Sequence, residues 1–384
     1  MNIFFAGQAI PYEILNNPKF SMARKLNDTA GNNFYVHLLT GMAQNGHTVE
    51  SMCRVTDDIV KEYGKKIVSE SVTYRFNKKR KNFLLNHLML FPLAFFRIRK
   101  WAKKYKEDSM VIVNCLRITQ CLAAIVAKKI YGIKLVAVVT DVPKYRVIDT
   151  NKSLISKLSD MLGSYMLSKY DKYILLSEDM NPIVNSGSKP YVVIEGLIDP
   201  KIFSGIHEDK HKDFTVMYAG ALARKYNIMS VVDAVINTEC NIKFLIYGSG
   251  ELDQELTEIS KSNPKIEYKG SVPYSEILKQ ETKAHLLINP RSTEEEYTKL
   301  SFPSKNIEYM LSGTACLFTK LKSMPEEYYS YIFTIEDESS EGIQKKLEEI
   351  YQLSPDRLEK LGLSAREYII NNKSRSTQAK KIVG

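Results

Sequence analysis

The segment SFPSKNIEYMLSG, residues 301–313, has the pattern of a short helix that packs on a sheet with one face and carries charge on the other. Pro303 suits a first helical turn, where its missing N–H has no cost, and Gly313 suits the position just past a helix end. A helix start with a lysine and a nearby carboxylate can bind a phosphate and a sugar hydroxyl together, although an amphipathic helix with a solvated Lys/Glu pair explains the segment equally well. The two faces hold Ile307, Met310 and Leu311 on one side and Ser301, Lys305, Glu308 and Ser312 on the other.

Apolar runs typical of strands, each followed by a helical pattern, recur on the N-terminal side of this segment and directly after it. Alternation of β and α at this spacing predicts parallel sheets with helices on both faces. Two such sets predict two doubly wound, Rossmann-like α/β domains. The runs are 3–5, 110–113, 134–139, 173–176 and 191–194 in the first half, and 215–218, 243–247, 284–289 and 315–319 in the second.

The length of 384 residues exceeds what one hydrophobic core usually serves, so two domains are expected. The best boundary lies near residues 196–213, where glycine, proline and a polar stretch precede a new strand. We therefore predict a first domain over residues 1–195 and a second over residues 196–364. The C-terminal helix, residues 365–384, is predicted to pack back on the first domain.

The formal net charge of +10 is concentrated in residues 75–106, which contain no acidic residue. Basic clusters flank aromatic and aliphatic side chains there, a composition typical of a surface that lies on an anionic bilayer. A core helix with two solvated ends is the alternative, and nucleic acid is not expected because no recognition module accompanies the charge. The predicted membrane contacts are Lys78, Lys79, Arg80, Lys81, Phe83, Phe95, Phe96, Arg97, Arg99 and Trp101.

The five cysteines show no C-x-x-C spacing and no pairing rhythm, which indicates reduced thiols rather than a disulfide framework. The chain enters a strand-like run directly after Met1, without the pattern of a signal peptide. We expect a cytoplasmic protein that associates peripherally with the inner face of the plasma membrane.

Ligands of open α/β sheets bind at the carboxyl ends of the strands, so the loops that follow the strands are the candidate sites. Gly220, with Arg224 and Lys225, follows one predicted strand, and Gly248 and Gly250 follow the next. Each glycine alone is better explained by a tight turn, but together with residues 301–313 they predict a pocket for a nucleotide with a diphosphate.

In the first domain, Gly31 and Asn32 precede a predicted helix over residues 34–44, so backbone N–H groups are expected to face a ligand there. Asp141 follows the strand-like run 134–139 and places a carboxylate at a strand end. On spacing alone, an Asx turn or a helix cap explains Asp141 slightly better than a catalytic role.

The order YAG, GSGEL, GSVPYSEI and SFPSKNIEYMLSG, with GNNFYVHLLTGMAQNGHTVE near the start, resembles the GT4-type retaining glycosyltransferases. More narrowly, it is similar to bacterial enzymes that assemble capsule, exopolysaccharide or O-antigen repeats. The resemblance implies a GT-B fold, in which two Rossmann-like domains face each other across a cleft. It implies that the second domain binds a UDP- or GDP-type sugar and that the first binds the acceptor, a hydroxyl of a lipid-linked glycan. It implies neither a metal nor another cofactor.

Carried over by position, the resemblance gives each candidate residue a role. Glu308 would bind the donor ribose, and Lys305 with the helix start would bind the diphosphate. Asp141, Lys305 and Glu296 are the catalytic candidates. The helix start comprises Ser301, Phe302, Pro303 and Ser304; Arg224 and Lys225 would add charge; Gly220, Gly248, Gly250 and Val272 would border the nucleotide; and Gly31 and Asn32 would approach the sugar phosphate.

The chain departs from the resemblance at three positions, one of which is the strand-end histidine of many members, replaced here by Thr140 and Asp141. The family signature has two glutamates separated by seven residues, but Leu300 stands where the first would be, with the triplet 294–296 close by. Ala221 replaces the usual arginine of the first glycine segment. Two alternatives therefore stay open: a nucleotide-sugar epimerase on the same scaffold, and a non-catalytic membrane-bound subunit that stabilises a partner transferase.

Overall fold

The computed structural model describes residues 1–20, 29–79, 89–115, 117–140, 161, 163 and 165–383, with no side-chain description for 29, 30, 107, 296 and 297. The chain divides into two compact units. One comprises Met1–Leu197 together with Arg375–Gly384, and the other comprises Ile198–Ser374.

The first unit is built on an eight-stranded sheet in the order β3-β4-β2-β1-β5-β6-β7-β8, parallel except for the edge pair β3 and β4. The central strands are buried on both faces, as parallel strands covered by helices must be. Its strands are β1 (Asn2–Ala6), β2 (Thr48–Val55), β3 (Lys66–Ser69), β4 (Val72–Lys78), β5 (Ser109–Asn114), β6 (Lys134–Val139), β7 (Lys172–Leu175) and β8 (Tyr191–Val193). Its first helices are α1 (Tyr12–Leu15), α2 (Thr29–Gln44), α3 (Asp57–Tyr63), α4 (Leu90–Tyr105), α5 (Ile118–Tyr131) and α6 (Asn181–Val184).

The second unit has a six-stranded sheet in the order β11-β10-β9-β12-β13-β14, parallel at every pairing. Its strands are β9 (Phe214–Leu222), β10 (Ile242–Gly250), β11 (Ile266–Tyr268), β12 (Leu286–Asn289), β13 (Ala315–Thr319) and β14 (Phe333–Ile335). Its helices are α7 (Ile228–Asn237), α8 (Asp253–Ser262), α9 (Tyr274–Lys283), α10 (Ser304–Ser312), α11 (Ser340–Tyr351) and α12 (Pro355–Asn372). The predicted fold class, two doubly wound parallel α/β sheets, is confirmed.

The division between the units lies at Leu197 and Ile198, where we predicted 195 and 196. The prediction that residues 365–384 pack as one helix on the first unit is wrong in part. Helix α12 belongs to the second unit, and only α13 (Arg375–Val383) returns to the first. Ala379 and Ile382 of α13 are fully buried in the first unit's core, which explains the return.

Among the described residues, no helix is long and apolar enough to cross a membrane. All five cysteines are free, and Cys240 is the one that is not buried.

Candidate functional site

Gly220, Gly248 and Gly250 lie in paired strands, so the prediction that they form loops is wrong. β9 and β10 stay paired as far as Leu222 and Gly250, and Gly248 pairs with Gly220. Gly248 has a φ of +127°, and a Cβ there would lie 1.8 Å from the Gly220 carbonyl oxygen. A side chain is therefore excluded by the close approach of two backbones.

The strand order of the second sheet reverses at β9, which has β10 on one side and β12 on the other. Helix α10 follows β12 in the chain, so its start lies at the carboxyl edge of this reversal, where such sheets bind ligands. Pro303 precedes α10 and supplies no side-chain cap, and the first turn has no acidic residue. The positive end of the helix is therefore left to bind an anion.

Tyr309 and Asn306 fix α10 against the sheet. The Tyr309 hydroxyl accepts a hydrogen bond from the Ala219 N–H at 2.6 Å and donates one to the Ala219 carbonyl at 3.2 Å. Asn289, at the end of β12, donates to the Asn306 side chain at 2.5 Å. Lys305 and Glu308 are consequently held on the face of α10 opposite the one that packs into the core.

Lys305 is part of a buried cluster rather than a solvated pair. Its ammonium group donates to Glu308 and lies 3.0 Å from the Glu281 carboxylate, on α9. The Tyr274 hydroxyl donates to the second oxygen of Glu308 at 2.7 Å. The exposed fractions of the Lys305, Glu308 and Glu281 side chains are 26%, 14% and 0%. The ordinary amphipathic-helix explanation therefore does not describe this pair.

Burial sets the charge states in this cluster. Burial raises the pKa of Glu281 well above the usual range of a carboxyl; the charge of Lys305 opposes this shift and that of Glu308 adds to it. Burial also acts to raise the pKa of Glu308, but Lys305 and hydrogen bonds outweigh it, and that pKa is lowered. Burial acts to lower the pKa of Lys305, which the two carboxyl groups nevertheless raise well above its usual value. Ionisation of Glu281 is thus disfavoured in this cluster, whereas the charged forms of Lys305 and Glu308 are favoured.

The other predicted cations of the second unit are exposed. Arg224 donates to Glu255, and its backbone N–H donates to Glu251. The Lys225 ammonium lies 5.6 Å from the centre of the Tyr226 ring. Both residues belong to a short 3-10 turn directly after β9, at the same edge of the sheet as α10.

The four residues predicted to form the helix start, 301–304, differ in how far they are buried. Phe302 is buried, with its ring centre 5.3 Å from that of Tyr328, so its side chain is core and only its backbone can meet a ligand. Pro303 is also buried, whereas Ser304 is exposed and Ser301 is half-buried. Val272 packs half-buried against the core of this unit.

Leu300 is buried, so the position where the family signature has its first glutamate is an apolar position here. Glu296 lies in a 3-10 turn, Glu296–Lys299, and its side chain lies outside the described atoms. The catalytic role predicted for Glu296 therefore stays a prediction.

In the first unit, the predicted helix over 34–44 begins earlier, at Thr29, so Gly31 and Asn32 lie inside it. Asn32 is buried, and its side chain accepts a hydrogen bond from the Ile10 N–H at 2.8 Å and donates to the Ile10 carbonyl at 2.9 Å. Both polar atoms are used within the fold, so its side chain is not available to a donor. Asp141 lies outside the described residues.

The basic segment becomes β4 and α4, and one predicted membrane contact is wrong. Trp101 is 5% exposed, and its ring centre lies 5.7 Å from that of Phe4 on the central strand β1. It occupies the core-facing side of α4, where helical spacing places it three residues after buried Ile98.

The remaining predicted contacts differ in exposure. Phe96 is 58% exposed, whereas Phe95 packs half-buried toward Tyr131. Lys78 pairs with Asp57 at 2.7 Å, and Arg97 donates to Asn77 at 3.3 Å. Lys79 is exposed and Arg99 half-buried, and Arg80, Lys81 and Phe83 lie outside the described residues.

Sequence reasoning missed three residues of the site. A signal for Glu281 was present, because it follows Leu278 by three residues on the apolar face of α9. Tyr274 had no sequence signal, since its link to Glu308 joins separate helices. Arg291, just past β12, places its guanidinium 4.7 Å from the Tyr226 ring centre and adds a further cation at this edge.

This geometry can be compared with known proteins. Residues 213–352 match the family model Glycosyl transferases group 1. The match covers β9 to α11, including the glycine pairs and α10. No curated protein matches this chain.

Solved structures extend the likeness to the whole chain. Sucrose-phosphate synthase from Thermosynechococcus elongatus has a TM-score of 0.69 at 14% identity, over 100% of this chain and 97% of that chain. HepE from Anabaena in complex with UDP has a TM-score of 0.66 at 12% identity, over 100% and 98%. The lipopolysaccharide outer core galactosyltransferase WaaB, in its apo form, has a TM-score of 0.62 at 13% identity, over 100% and 98%. The fold is GT-B, and with the family match it supports sugar transfer by this chain.

Proposed function

We propose that the protein is a retaining, metal-independent hexosyltransferase. It moves a sugar from a nucleoside diphosphate donor, of UDP or GDP type, to a hydroxyl of a lipid-linked glycan in bacterial surface polysaccharide synthesis. The observation that carries the proposal is the Lys305–Glu308 pair, held beside the uncapped start of α10 at the strand-order reversal of the second sheet.

The charges of this cluster suit a nucleoside diphosphate. A phosphate at the helix start would meet backbone N–H groups and the Lys305 ammonium, and the two together favour negative charge. Glu308 stays ionised, because its pKa is lowered despite burial, and an ionised carboxylate accepts hydrogen bonds from vicinal ribose hydroxyls. HepE, which shares the fold, has been solved with UDP, and this supports a UDP-type donor.

The proposed chemistry needs no protein nucleophile. Lys305 and the helix start stabilise the charge that develops on the leaving diphosphate. The leaving phosphate then accepts the proton of the acceptor hydroxyl on the same face of the sugar, which retains the anomeric configuration. In this proposal Asp141 orients the acceptor. The likeness to WaaB, a lipopolysaccharide galactosyltransferase, supports a surface-glycan acceptor.

The donor assignment is tested with Glu308→Gln and Lys305→Met in the full chain. Either variant is expected to weaken UDP-sugar binding at least tenfold and to abolish transfer, because each removes a charge-assisted contact worth about 1.5–3 kcal/mol. Binding is measured by thermal shift against a panel of UDP, GDP and dTDP sugars, since a true donor raises Tm by mass action.

Lys346→Ala is the matched control. Lys346 forms an ion pair with Glu349 at 2.6 Å on α11, with the same i, i+3 spacing in the same unit but away from the proposed site. It is expected to bind and turn over donor as wild type does. Wild-type activity in Glu308→Gln would refute the donor assignment, and an epimer formed from the donor alone would favour an epimerase.

A further inference from the structure

The first sheet carries a second cationic site at its own strand-order reversal. β1 has β2 on one side and β5 on the other. Arg54 is the next-to-last residue of β2, and Arg117 directly precedes α5, the helix that follows β5. Both arginines therefore lie at the carboxyl edge of the reversal, the part of an open α/β sheet that binds ligands.

Side-chain amides hold the segments at this edge together. Gln8, just past β1, donates to the Arg54 carbonyl at 2.8 Å and accepts from the Arg54 N–H at 3.0 Å. Gln120, in the first turn of α5, donates to the Gly7 carbonyl at 3.4 Å. The backbone that carries Arg54 is thus fixed to the loop after β1.

The Arg54 guanidinium is not satisfied within the part of the chain that the structure describes. Its Nη1 atom is buried and has no hydrogen-bond partner there. Burial lowers the pKa of Arg54, and the neighbouring charge of Arg117 lowers it further. A buried cationic donor without a partner is costly, on the order of several kcal/mol, and a cation beside it adds to that cost.

We propose that Arg54 and Arg117 bind an anionic group of the acceptor, a phosphate or a carboxylate. The planar guanidinium fork matches the oxygen geometry of both groups. The inference rests on the proposed function only in naming the acceptor as the source, since a phosphate-linked glycan carries such a group. The donor diphosphate has the same chemistry, and the experiment below separates the two sources.

The test is titration calorimetry of the full chain with inorganic pyrophosphate, in the absence of UDP and at saturating UDP. Wild type is expected to bind pyrophosphate in both conditions. At saturating UDP, Arg54→Gln is expected to bind it at least tenfold more weakly, with the Kd for UDP unchanged within about twofold. Lys66→Gln, which removes one exposed charge from β3 in the same unit, is expected to bind as wild type does.

Each outcome decides a separate point. Equal pyrophosphate affinity in wild type and Arg54→Gln would overturn the proposal. Loss of all pyrophosphate binding at saturating UDP would assign the anion to the donor and overturn the acceptor assignment. Failure of UDP to bind would refute the proposed function, while the Arg54 comparison would still be read from pyrophosphate alone.

Thermal unfolding separates binding from a structural role. Removal of a cation whose buried Nη1 atom has no hydrogen-bond partner among the described residues is expected to leave Tm unchanged or raised. A marked fall in Tm for Arg54→Gln, with no change in pyrophosphate affinity relative to folded protein, would show that Arg54 serves the fold and overturn the proposal. Arg54→Lys keeps the charge but loses the fork, so its affinity is expected to be intermediate.

Discussion

Glu281 has no exposed surface, yet one of its carboxylate oxygens lies 3.0 Å from the Lys305 ammonium. Within the part of the chain that the structure describes, neither carboxyl oxygen of Glu281 accepts a hydrogen bond with the distance and angles that such a bond requires. Because burial raises the pKa of Glu281 well above its usual range, we expect Glu281 to keep its proton at neutral pH beside the charged Lys305. An ionised Glu281 would neutralise the cation that the proposed diphosphate needs.

Glu281→Gln is therefore expected to leave donor binding and transfer nearly unchanged at neutral pH, because glutamine mimics a neutral acid in shape and charge. The unfolded state of wild type releases the Glu281 proton above about pH 4.3, whereas the folded state keeps it. The free energy of unfolding of wild type thus falls as pH rises from about 4 toward the raised pKa, and the glutamine variant lacks this fall.

The measurement is urea unfolding of both proteins between pH 4.5 and pH 8, at about half-unit steps. The variant is expected to gain stability relative to wild type as pH rises. Glu281→Ala is the comparison: it leaves a cavity and is expected to cost about 2–4 kcal/mol at every pH. Parallel profiles for wild type and Glu281→Gln would show that Glu281 is ionised in the folded protein.

The residues of α10 were predictable because their contacts are local. Lys305 and Glu308 stand three residues apart in one amphipathic helix, so spacing alone placed them on one face. Glu281 and Tyr274 meet them from another helix, and such contacts depend on tertiary packing that periodicity does not encode. The prediction that Asn32 approaches the donor sugar phosphate failed for the same reason, since the hydrogen-bond partner of Asn32, Ile10, is distant in sequence.

At the scale of elements, the sequence predicted the bounds of a strand well where its apolar run is uninterrupted. Where glycines follow the apolar run, the predicted strand was shorter than the observed one. β13 was predicted with its observed bounds because Ala315–Thr319 is an uninterrupted apolar run. β9 and β10 extend beyond their apolar cores because Gly220, Gly248 and Gly250 allow the backbones to approach closely. A glycine after an apolar run favours a turn when only the sequence is considered. The pairing with the neighbouring strand is needed to show that the glycine lies within a strand instead.

We expect helices α4 and α5 to contact an anionic bilayer, because together they expose apolar and basic side chains. Leu122, Val126 and Ile130 of α5 are exposed at four-residue spacing, so they form one apolar stripe. Neither helix contains an acidic residue. The basic residues of the two helices are Arg97, Arg99, Lys100, Lys103, Lys104, Lys128 and Lys129.

Ile130→Asp is expected to lower binding to phosphatidylglycerol-containing vesicles about tenfold or more. It removes an apolar contact and adds a charge that the lipid repels, each worth about 1 kcal/mol or more. Vesicle co-sedimentation measures the effect. Val68→Asp on β3 is the control, because Val68 is an exposed apolar residue of the same unit outside this stripe. Equal loss in both variants, or no loss in either, would contradict membrane docking by α4 and α5.

At the scale of the whole molecule, the first unit is discontinuous in sequence. Arg375, at the start of α13, donates two hydrogen bonds to Glu70 at 3.1 and 2.9 Å, and Ile382 is fully buried in the first unit's core. The division into two α/β units was predictable from the repeated β-α alternation. The chain crossing at residue 374 was not, because α12 ends at Asn372 and α13 begins at Arg375, and helical periodicity does not show which unit each helix packs on.

Ile382→Ala is expected to destabilise the first unit by about 2–4 kcal/mol and to leave the second nearly unchanged. Hydrogen exchange of the full chain measures this, with amides of β1 and β2 losing protection while those of β9, β10 and β13 keep it. Lys380→Ala, an exposed position on α13, is expected to change neither unit. Equal loss of protection in both units would show that they unfold together.

The position of α13 also bears on how the chain folds during synthesis. A ribosome makes residues 198–374 before residues 375–383, so the second unit leaves the exit tunnel before the first unit has its last helix. Until then the surface that Ile382 covers is exposed on a nascent first unit. The order of translation therefore runs against the usual N-terminal-first folding of domains, and the nascent first unit stays open to chaperones until α13 emerges.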